Sequence, residues 1–267
     1  MKIGIVGLGL IGGSILKALQ GKYELYCVSK SPETIEKASE YSCTSSTDYS
    51  ILKDCDIVFV ATPINKTLET LDKLENIVRQ DCIVTDTASV KMFVMEKERP
   101  YKFIGSHPMA GTENSGFDSS FKELFEGAKW VITPYINTEN KNIETLKNIV
   151  TQMKAEVVVA NPFEHDEAVA LISHMPMLVA QSIFKAAEKN ELALKLASSG
   201  FRDMTRLAMS NLTMAEDMMH YNSLNINHAL TKMIESLNLL DSNYAALIPE
   251  IKSKREKMYS KDGKNIL

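Results

Sequence analysis

The chain of 267 residues is poor in cysteine and has no large excess of charge of either sign, and both shortages exclude classes of protein. Its four cysteines, at positions 27, 43, 55 and 82, follow no C-x-x-C or other metal-ligand spacing. Three of them lie in or beside apolar segments, so we expect buried, reduced thiols in a cytosolic protein. The net charge of −4, without a run of lysine and arginine among aromatic residues, argues against a nucleic-acid partner.

Long apolar runs and histidines are also scarce. No stretch approaches the ~18 apolar residues of a membrane span. The apolar start of the chain carries five glycines and lacks a signal-peptide cleavage site, so we expect a soluble, unprocessed, cytoplasmic protein. The five histidines match no metal-ligand spacing, and no metal site is expected. His165 and Asp166, which follow Pro162, are expected in the first turn of a helix.

A glycine-rich segment at the start of the chain is the most informative feature that is present. Gly7, Gly9 and Gly12 have the G-x-G-x-x-G spacing, with a strand-like segment (2–6) before them and a helical segment (14–19) after them. The glycines permit a tight turn, close approach of the main chain to a pyrophosphate, and close helix–strand packing. The segment therefore predicts dinucleotide binding. The residues assigned to the cofactor are Gly7, Gly9, Leu10, Ile11, Gly12, Ser29, Lys30, Ser31, Ala61, Thr62 and Pro63.

Strand-like and helical segments alternate through the first 160 residues. Apolar strand-like runs occur at 24–28, 56–62, 82–85, 103–106, 130–133 and 155–160, and helical patterns occur at 31–41, 64–78, 90–97 and 138–153. This alternation predicts a mostly parallel sheet covered on both faces, which is an α/β Rossmann-type dinucleotide-binding domain over residues 1–160. Its ligand should lie beyond the carboxyl ends of the strands, where Gly7, 61–63 and 86–89 emerge.

The remaining residues, 161–267, predict an all-helical substrate and dimerisation domain. Apolar residues with helical spacing continue through 168–187, 192–208 and 226–247, and the charged tail from Lys252 is expected to be solvated. The many methionines are interpreted as adaptable packing between helices; the alternative is a promiscuous binding groove. Helices this long and apolar in about 100 residues predict burial against a second copy of the chain, that is, a homodimer.

The segment after the second strand indicates which nicotinamide cofactor is preferred. NAD-selective Rossmann domains carry an acidic residue about 20 positions beyond the glycines, where it bonds the ribose 2′-OH. Here the strand at 24–28 runs into Ser29, Lys30 and Ser31 instead. Two hydroxyls and an ammonium suit a 2′-phosphate, so NADP is predicted. The alternative is that Lys30 is an ordinary solvated lysine and that either cofactor binds.

Two loops at strand ends carry candidate catalytic residues. His107 directly follows a predicted strand, and an imidazole with a near-neutral pKa is suited to accepting a hydroxyl proton while hydride leaves the same carbon. A structural role for this histidine is the alternative. Ser89 either caps the helix predicted from Val90 or directs its hydroxyl at His107 or the substrate; the spacing leaves both open.

The helical domain contributes candidate substrate-binding residues. His174 lies beside Pro176, which interrupts the hydrogen bonding of an apolar helix; the alternative is a satisfied core histidine. Arg202 and Arg206 have i, i+4 spacing on one predicted helix face, and a guanidinium facing the cleft is the natural anchor for an anionic substrate. A surface ion pair with Asp203 is the alternative.

Together these segments resemble the prephenate/arogenate dehydrogenases of tyrosine biosynthesis. The resemblance is carried by GLGLIGGS (7–14), TDTASVK (85–91), GSHPMAGTENSG (105–116), EHD (164–166), ISHMP (172–176) and GFRDMTR (200–206), and it covers nearly the whole chain. It implies oxidation of a cyclohexadienyl hydroxyl by hydride transfer to the nicotinamide, with loss of the ring carboxylate as CO₂. The product is 4-hydroxyphenylpyruvate from prephenate or tyrosine from arogenate. His107 then matches the histidine that takes the hydroxyl proton, and Ser89 the serine hydrogen-bonded to it.

The resemblance also implies roles for residues of the substrate pocket. Arg206 corresponds to the arginine that binds a substrate carboxylate, and His174 to a histidine that lines the pocket. Thr112 and Glu113 fall where the family has pocket and gating contacts, and the helical domain forms the dimer interface in family members. Many prephenate-preferring bacterial members carry a histidine at the position of Met177. Together with the predicted preference for NADP, this methionine makes the chain resemble arogenate-using relatives.

Two other functions compete with this interpretation. Another two-domain NADP oxidoreductase, of the hydroxyacid dehydrogenase or imine reductase type, also joins a Rossmann domain to helices, but GSHPMAG with His107 as base is not expected there. A non-catalytic NADP sensor predicts cofactor binding without turnover. The joint presence of Ser89, His107, His174 and Arg206 argues against the sensor.

Overall fold

The computed structural model describes residues 1–112 and 114–259 of the chain. Its larger sheet consists of six strands: β1 (Lys2–Val6), β2 (Glu24–Val28), β3 (Cys43–Ser46), β4 (Ile57–Val60), β5 (Ile83–Asp86) and β6 (Lys102–Phe103). They pair in the order β3-β2-β1-β4-β5-β6, and every pairing is parallel. The order reverses between β1 and β4, which creates the crevice where such sheets bind their ligand.

Helices cover both faces of this sheet. They are α1 (Leu10–Leu19), α2 (Pro32–Ser39), α3 (Ile64–Leu74), the single turn α4 (Met92–Met95) and α5 (Asn140–Gln152). Alternate strand residues point to opposite faces; accordingly Ile3 and Ile5 pack in one buried cluster with Ile15, and Val58 packs in another with Leu71. The predicted Rossmann-type domain is therefore confirmed.

A second, three-stranded sheet was not predicted as a separate unit. It contains β7 (Gly105–Pro108), β8 (Lys129–Thr133) and β9 (Glu156–Val159), with β7 antiparallel to β8 and β8 parallel to β9. The single strand predicted at 103–106 was wrong, because β6 ends at Phe103 and β7 then joins the other sheet. Strand β3 was missed because its sequence, Cys-Thr-Ser-Ser, lacks the apolar residues of a buried strand.

The second domain contains helices and short helical turns. These are α6 (Pro162–Val169), a π-helical turn (Ala170–His174), α7 (Met175–Ala187), α8 (Glu191–Leu196), α9 (Ser199–Thr205), α10 (Leu212–Tyr221) and α11 (Ser223–Met258). The single helix predicted over 192–208 was wrong: the extended residues Ala197 and Ser198 separate α8 from α9. Helix α10 was not predicted, and α11 is longer than expected, with a non-helical break at Asn243.

One helical stretch corrects the expectation about membrane spans. Residues Pro162–Ala187 run through the π-helical turn and are long and apolar enough, by length and composition alone, to cross a membrane. His165, Asp166 and His174 lie within this stretch, and all three side chains are buried against protein. Only 28% of the apolar window is buried within the chain, so the stretch is not an enclosed core helix of the single chain.

The two domains pack on each other. Met177, Ala215 and Met218 belong to the same buried cluster as Val58 of β4 and Val84 of β5. The carboxylate of Asp217 also accepts a hydrogen bond from the main-chain N–H of Asn65, at 3.2 Å. By contrast, many large apolar side chains of the helical domain are exposed, including Leu196, Met209, Leu212, Leu224, Ile234, Leu237, Leu239 and Ile251.

Candidate functional site

The glycine-rich loop connects β1 to α1 at the carboxyl edge of the sheet. Gly7 has a φ of +89°, a conformation that L side chains rarely adopt. A Cβ at Gly12 would lie 1.9 Å from the carbonyl oxygen of Gly7, whereas a Cβ at Gly9 would meet nothing within 4 Å. The loop is thus tightly closed at Gly7 and Gly12 and open at Gly9, as required where a pyrophosphate approaches the main chain. Leu10 and Ile11 begin the helix behind it.

The loop after β4 faces the glycines from the other side of the crevice. A Cβ at Gly7 would lie 2.6 Å from the carbonyl oxygen of Ala61. Pro63 precedes the first residue of α3. The Oγ1 atom of Thr62 is buried and has no hydrogen-bond partner among residues 1–112 and 114–259. A buried hydroxyl without a partner is costly, so this oxygen is a candidate ligand-binding atom.

The end of β2 carries the hydroxyls and the ammonium assigned to a 2′-phosphate. Ser31 caps α2, since its Oγ accepts a hydrogen bond from the N–H of Thr34 at 3.2 Å. The Oγ of Ser29 accepts from the N–H of Ser31 at 3.3 Å. Both hydroxyls keep their own protons for donation. The side chain of Lys30 is exposed, and no hydrogen bond or ion pair joins it to another described residue.

His107 lies on β7, opposite Val131 of β8, and is part of a three-residue hydrogen-bonded series. Its Nδ1 atom lies 3.0 Å from Nε2 of His165, and Nδ1 of His165 lies 2.8 Å from Oδ1 of Asp166. His165 and Asp166 belong to α6 of the helical domain, as predicted, but their contact with His107 was not foreseen. The adjacent His-Asp pair is the available signal in the sequence, but its position after Pro162 predicts only a helix turn.

Asp166 is itself fixed by the other domain. Its Oδ1 accepts a hydrogen bond from the main-chain N–H of Lys91 at 2.7 Å, and its Oδ2 accepts one from that of Met92 at 2.8 Å. These N–H groups lie at the start of α4, where helical N–H groups lack intrahelical partners. The carboxylate therefore takes the role of a helix cap across the domain boundary.

A fully buried ion pair lies beneath this cluster. The ammonium of Lys91 binds the carboxylate of Asp86 and donates to the carbonyl oxygen of Ser106 at 2.7 Å. The N–H of Ser106 donates to Asp86 at 3.2 Å. The pair thus ties the loop after β5 to the residue before His107. Sequence reasoning missed both residues, because a lysine in a loop gives no sign of being buried.

Ser89 neither caps a helix nor contacts His107, and its expected contact with substrate stays a prediction. Helix α4 begins at Met92 rather than at Val90, and its N-terminal position is Lys91, so Ser89 is not a cap. The hydrogen bond to His107 that the family resemblance implies is not formed either. Instead the Oγ of Ser89 is buried and has no partner among the residues described. This hydroxyl is therefore available to a ligand.

His174 is a buried donor. The amide of Asn222 is oriented by its neighbours: its Nδ2 donates to the carbonyl oxygen of Asp166 at 2.9 Å, and its oxygen accepts from Asn225 at 2.8 Å. That Nδ2 also lies 3.2 Å from Nδ1 of His174, which must then accept. Burial lowers the pKa of His174 to about 4, so the ring is neutral at pH 7. Its Nε2 consequently carries the proton, and this atom has no partner among the described residues.

The electrostatics around His107 favour its neutral form. Burial is the main cause that lowers the pKa of His107 well below its usual value, and repulsion between a protonated His107 and the neighbouring basic groups of His165, Lys91 and His174 acts in the same direction. A neutral imidazole at pH 7 has a lone pair available for a proton. His165 and His174 both influence the pKa of His107, so these three histidines form one cluster. His220 and His228 are exposed.

The remaining predicted substrate residues lie at the surface of the single chain. Arg202 pairs with Asp203 at 3.5 Å, and both side chains are more than 70% exposed. Arg206 is exposed and caps the C-terminal end of α9, where a 3₁₀ turn begins, and the common helix face of the two arginines stays a prediction. Thr112 is exposed and accepts from the N–H of Asn114 at 3.2 Å. Glu113 lies outside the described residues.

Fold and site together define a Rossmann-type nucleotide-binding protein with a helical partner domain that completes a histidine cluster. Comparison with protein families identifies it further. Residues 13–159 match the nucleotide-binding domain of prephenate dehydrogenase, and residues 161–248 match the prephenate dehydrogenase dimerization domain. The chain belongs to the prephenate dehydrogenase family.

Individual relatives agree with this assignment. The chain is 32% identical over 234 residues to the prephenate dehydrogenase of Bacillus subtilis, a match that covers 82% of this chain and 63% of that protein. It thus spans less than two thirds of this curated relative. Synechocystis arogenate dehydrogenase has a TM-score of 0.84 at 35% identity, covering 96% of this chain and 99% of that one. The prephenate dehydrogenase of Aquifex aeolicus, in complex with hydroxyphenyl propionate and NAD+, has a TM-score of 0.84 at 30% identity, covering 96% and 97%.

Proposed function

We propose that this protein catalyses the NAD(P)-dependent oxidative decarboxylation of a cyclohexadienyl substrate in tyrosine biosynthesis. The substrate is arogenate, prephenate or both, and the product is tyrosine or 4-hydroxyphenylpyruvate. The observation that carries the proposal is the position of His107. Its imidazole is held by the helical domain, through His165 at 3.0 Å, next to the loops that end the parallel strands. Membership of the prephenate dehydrogenase family supports the same reaction.

His107 acts as the general base. The ring hydroxyl of the substrate gives its proton to the imidazole as the carbon–hydrogen bond at the same carbon breaks. A nicotinamide held at the glycine loop would supply the acceptor for the hydride. The bond to the ring carboxylate then breaks, its electron pair passes through the ring to the carbonyl oxygen, and CO₂ leaves as the ring becomes aromatic. The imidazolium of His107 returns its proton to the phenolate oxygen. General-base assistance of this kind contributes roughly 10²–10⁴-fold to the rate.

Substrate is held by donors from both domains. The buried Nε2–H of His174 and the buried hydroxyl of Ser89 both lack a protein partner among residues 1–112 and 114–259, and a hydroxyl or carboxylate oxygen of the substrate satisfies them. Arg206 anchors a substrate carboxylate through two parallel hydrogen bonds. Arg202, Thr112 and Glu113 complete the pocket in this proposal.

The cofactor is held by the glycine loop and the ends of β2 and β4. The main chain at Gly9 and the N-terminus of α1 hold the pyrophosphate, since no side chain obstructs Gly9. We propose NADP, because Ser29, Lys30 and Ser31 offer two hydroxyls and an ammonium where an NAD-selective domain carries a carboxylate. The Aquifex relative was solved with NAD+, so both cofactors belong in the test.

The assembly we propose is a cytoplasmic homodimer. Within each chain, we place the end of the nucleotide-binding domain at residue 160 and the start of the helical domain at residue 161. The exposed apolar side chains of α11 support this assembly: Leu224 is 84% exposed, Ile234 55% and Leu237 56%. Burial of apolar surface is the main driving force for association. The match of residues 161–248 to the dimerization domain of the family supports the same assembly.

Steady-state kinetics of the purified protein tests the proposal. Arogenate and prephenate are each combined with NAD+ and NADP+, and formation of the reduced cofactor is followed together with release of CO₂. Turnover with at least one pairing is expected, with NADP+ preferred. Cofactor binding without turnover in all four pairings would indicate a non-catalytic protein and contradict the proposal.

A further inference from the structure

The protons in the series His107, His165 and Asp166 can be placed from donor and acceptor chemistry. An ionised carboxylate only accepts hydrogen bonds. Both oxygens of Asp166 already accept main-chain N–H groups, from Lys91 at 2.7 Å and Met92 at 2.8 Å, so its ionised form is held in place. The Nδ1 of His165, 2.8 Å from Oδ1, must therefore carry a proton and donate it.

The same reasoning passes from His165 to His107. A neutral imidazole with a proton on Nδ1 has its lone pair on Nε2. That Nε2 lies 3.0 Å from Nδ1 of His107 and therefore accepts from it. His107 then carries its proton on Nδ1, which leaves its own Nε2 as a lone pair. The two rings meet edge to face, with centroids 5.2 Å apart and planes at 77°, so the edge nitrogens of one ring can reach the other.

We propose that His165 is a positioning residue: it fixes the tautomer of His107 so that Nε2 is the basic atom, and Asp166 makes this arrangement depend on docking of the two domains. The inference rests on the proposed function only for the identity of the proton that Nε2 takes up. The tautomer itself is a property of the free protein. A wrong tautomer at a general base is costly, since a base that presents N–H cannot accept a proton.

A merely structural role for His165 predicts a different result. His165 is 3% exposed, so replacing it can also weaken the domain contact. A structural role would appear as a lower free energy of unfolding with an unchanged proton position on His107. The positioning role moves the proton and lowers kcat, while cofactor affinity and KM change little.

The test uses two variants of the full chain and one matched control. His165→Phe keeps a ring but removes the acceptor for His107 Nδ1. His165→Gln retains an oxygen that can accept from it. Glu164→Gln changes the exposed neighbour on the same helix and is the control. Long-range ¹H–¹⁵N NMR of histidine-labelled protein, without substrate, reports which nitrogen of His107 carries the proton, and steady-state kinetics follows in the same preparations.

We expect Nδ1–H on His107 in the unmodified protein, in Glu164→Gln and in His165→Gln. His165→Phe should show Nε2–H and a kcat about 10²-fold lower, within the range of general-base effects. His165→Gln should recover most of kcat. Nε2–H on His107 in the unmodified protein, or an unchanged proton position and kcat in a folded His165→Phe, would overturn the inference. The expected NMR result in a protein without turnover would leave the inference standing and refute the proposed function.

Discussion

The ring of Phe93 stacks on the ring of Tyr221, with centroids 4.2 Å apart and planes at 23°. Phe93 lies in α4 of the nucleotide-binding domain, and Tyr221 is the last residue of α10 in the helical domain. Because Phe93 directly follows Met92, whose N–H binds Asp166, this stack supports the contact on which the histidine cluster depends.

The stack can be measured by a double-mutant cycle. Phe93→Ala, Tyr221→Ala and the double variant should show a coupling of about 0.5–1.5 kcal/mol in the free energy of unfolding, as aromatic pairs do beyond their area burial. Urea unfolding at one fixed protein concentration gives the values. The pair Phe93→Ala with Tyr244→Ala is the control, since Tyr244 is 65% exposed and should add without coupling. Strict additivity in the first cycle would contradict a stabilising stack.

Replacing the proposed base should separate chemistry from folding. His107→Asn keeps a polar side chain of similar reach but cannot accept a proton near neutral pH. We expect kcat to fall by roughly 10²–10⁴-fold while cofactor affinity and the unfolding midpoint stay close to those of the unmodified protein. Fluorescence titration with cofactor and steady-state kinetics provide the two readouts. Near-normal turnover in His107→Asn would remove His107 from its assigned role.

The nucleotide-binding loop could be predicted from the sequence, whereas the histidine cluster could not. The glycine spacing is a local requirement: Gly7 needs its positive φ, and Gly12 must approach a main-chain carbonyl a few residues away. The contact of His107 with His165 instead joins residues 58 positions apart on different domains. Sequence periodicity and motif spacing carry no information about a contact between residues so far apart in the chain. The contact is seen only in the folded structure.

The two arginines show that the end of a helix is also difficult to predict from the sequence. Their i, i+4 spacing predicts a common helix face only if the helix continues through both. Helix α9 ends at Thr205, so Arg206 lies one residue beyond its last residue. Helix ends depend on the surrounding contacts, and sequence patterns place them poorly.

Arg206 should contribute mainly to substrate binding. Arg206→Ala is expected to lower kcat/KM by the equivalent of about 2–5 kcal/mol, chiefly through KM, if its guanidinium pairs with a desolvated carboxylate. Arg202→Ala is the comparison, because Arg202 already pairs with Asp203 and should cost less. Substrate titrations at saturating cofactor distinguish the two variants. An unchanged KM in Arg206→Ala would exclude Arg206 from the site.

Cofactor choice should respond to one residue after β2. Ser29→Asp places a carboxylate where the ribose 2′ position is expected, and its charge repels a 2′-phosphate while it accepts from a 2′-hydroxyl. We expect the ratio of kcat/KM for NADP+ to that for NAD+ to fall at least tenfold. Ser29→Asn, which has the same shape without the charge, is the control. Unaltered NADP+ selectivity in Ser29→Asp would mean that the 2′-phosphate binds elsewhere.

The buried histidine of the helical domain should make stability depend on pH. The pKa of His174 is lowered from 6.5 to about 4 by burial, so below pH 6.5 the unfolded chain takes up a proton that the folded protein refuses until about pH 4. Its contribution to stability is complete above pH 6.5 and is lost as pH falls toward 4, by at most about 3 kcal/mol. His107, whose pKa is also lowered, acts in the same direction.

Urea unfolding between pH 7 and 4, at fixed protein concentration, tests this prediction. The free energy of unfolding of His174→Asn should depend less steeply on pH than that of the unmodified protein. His228→Asn, at an exposed position, should retain the full slope, and equal slopes for His174→Asn and the unmodified protein would refute a neutral, buried His174.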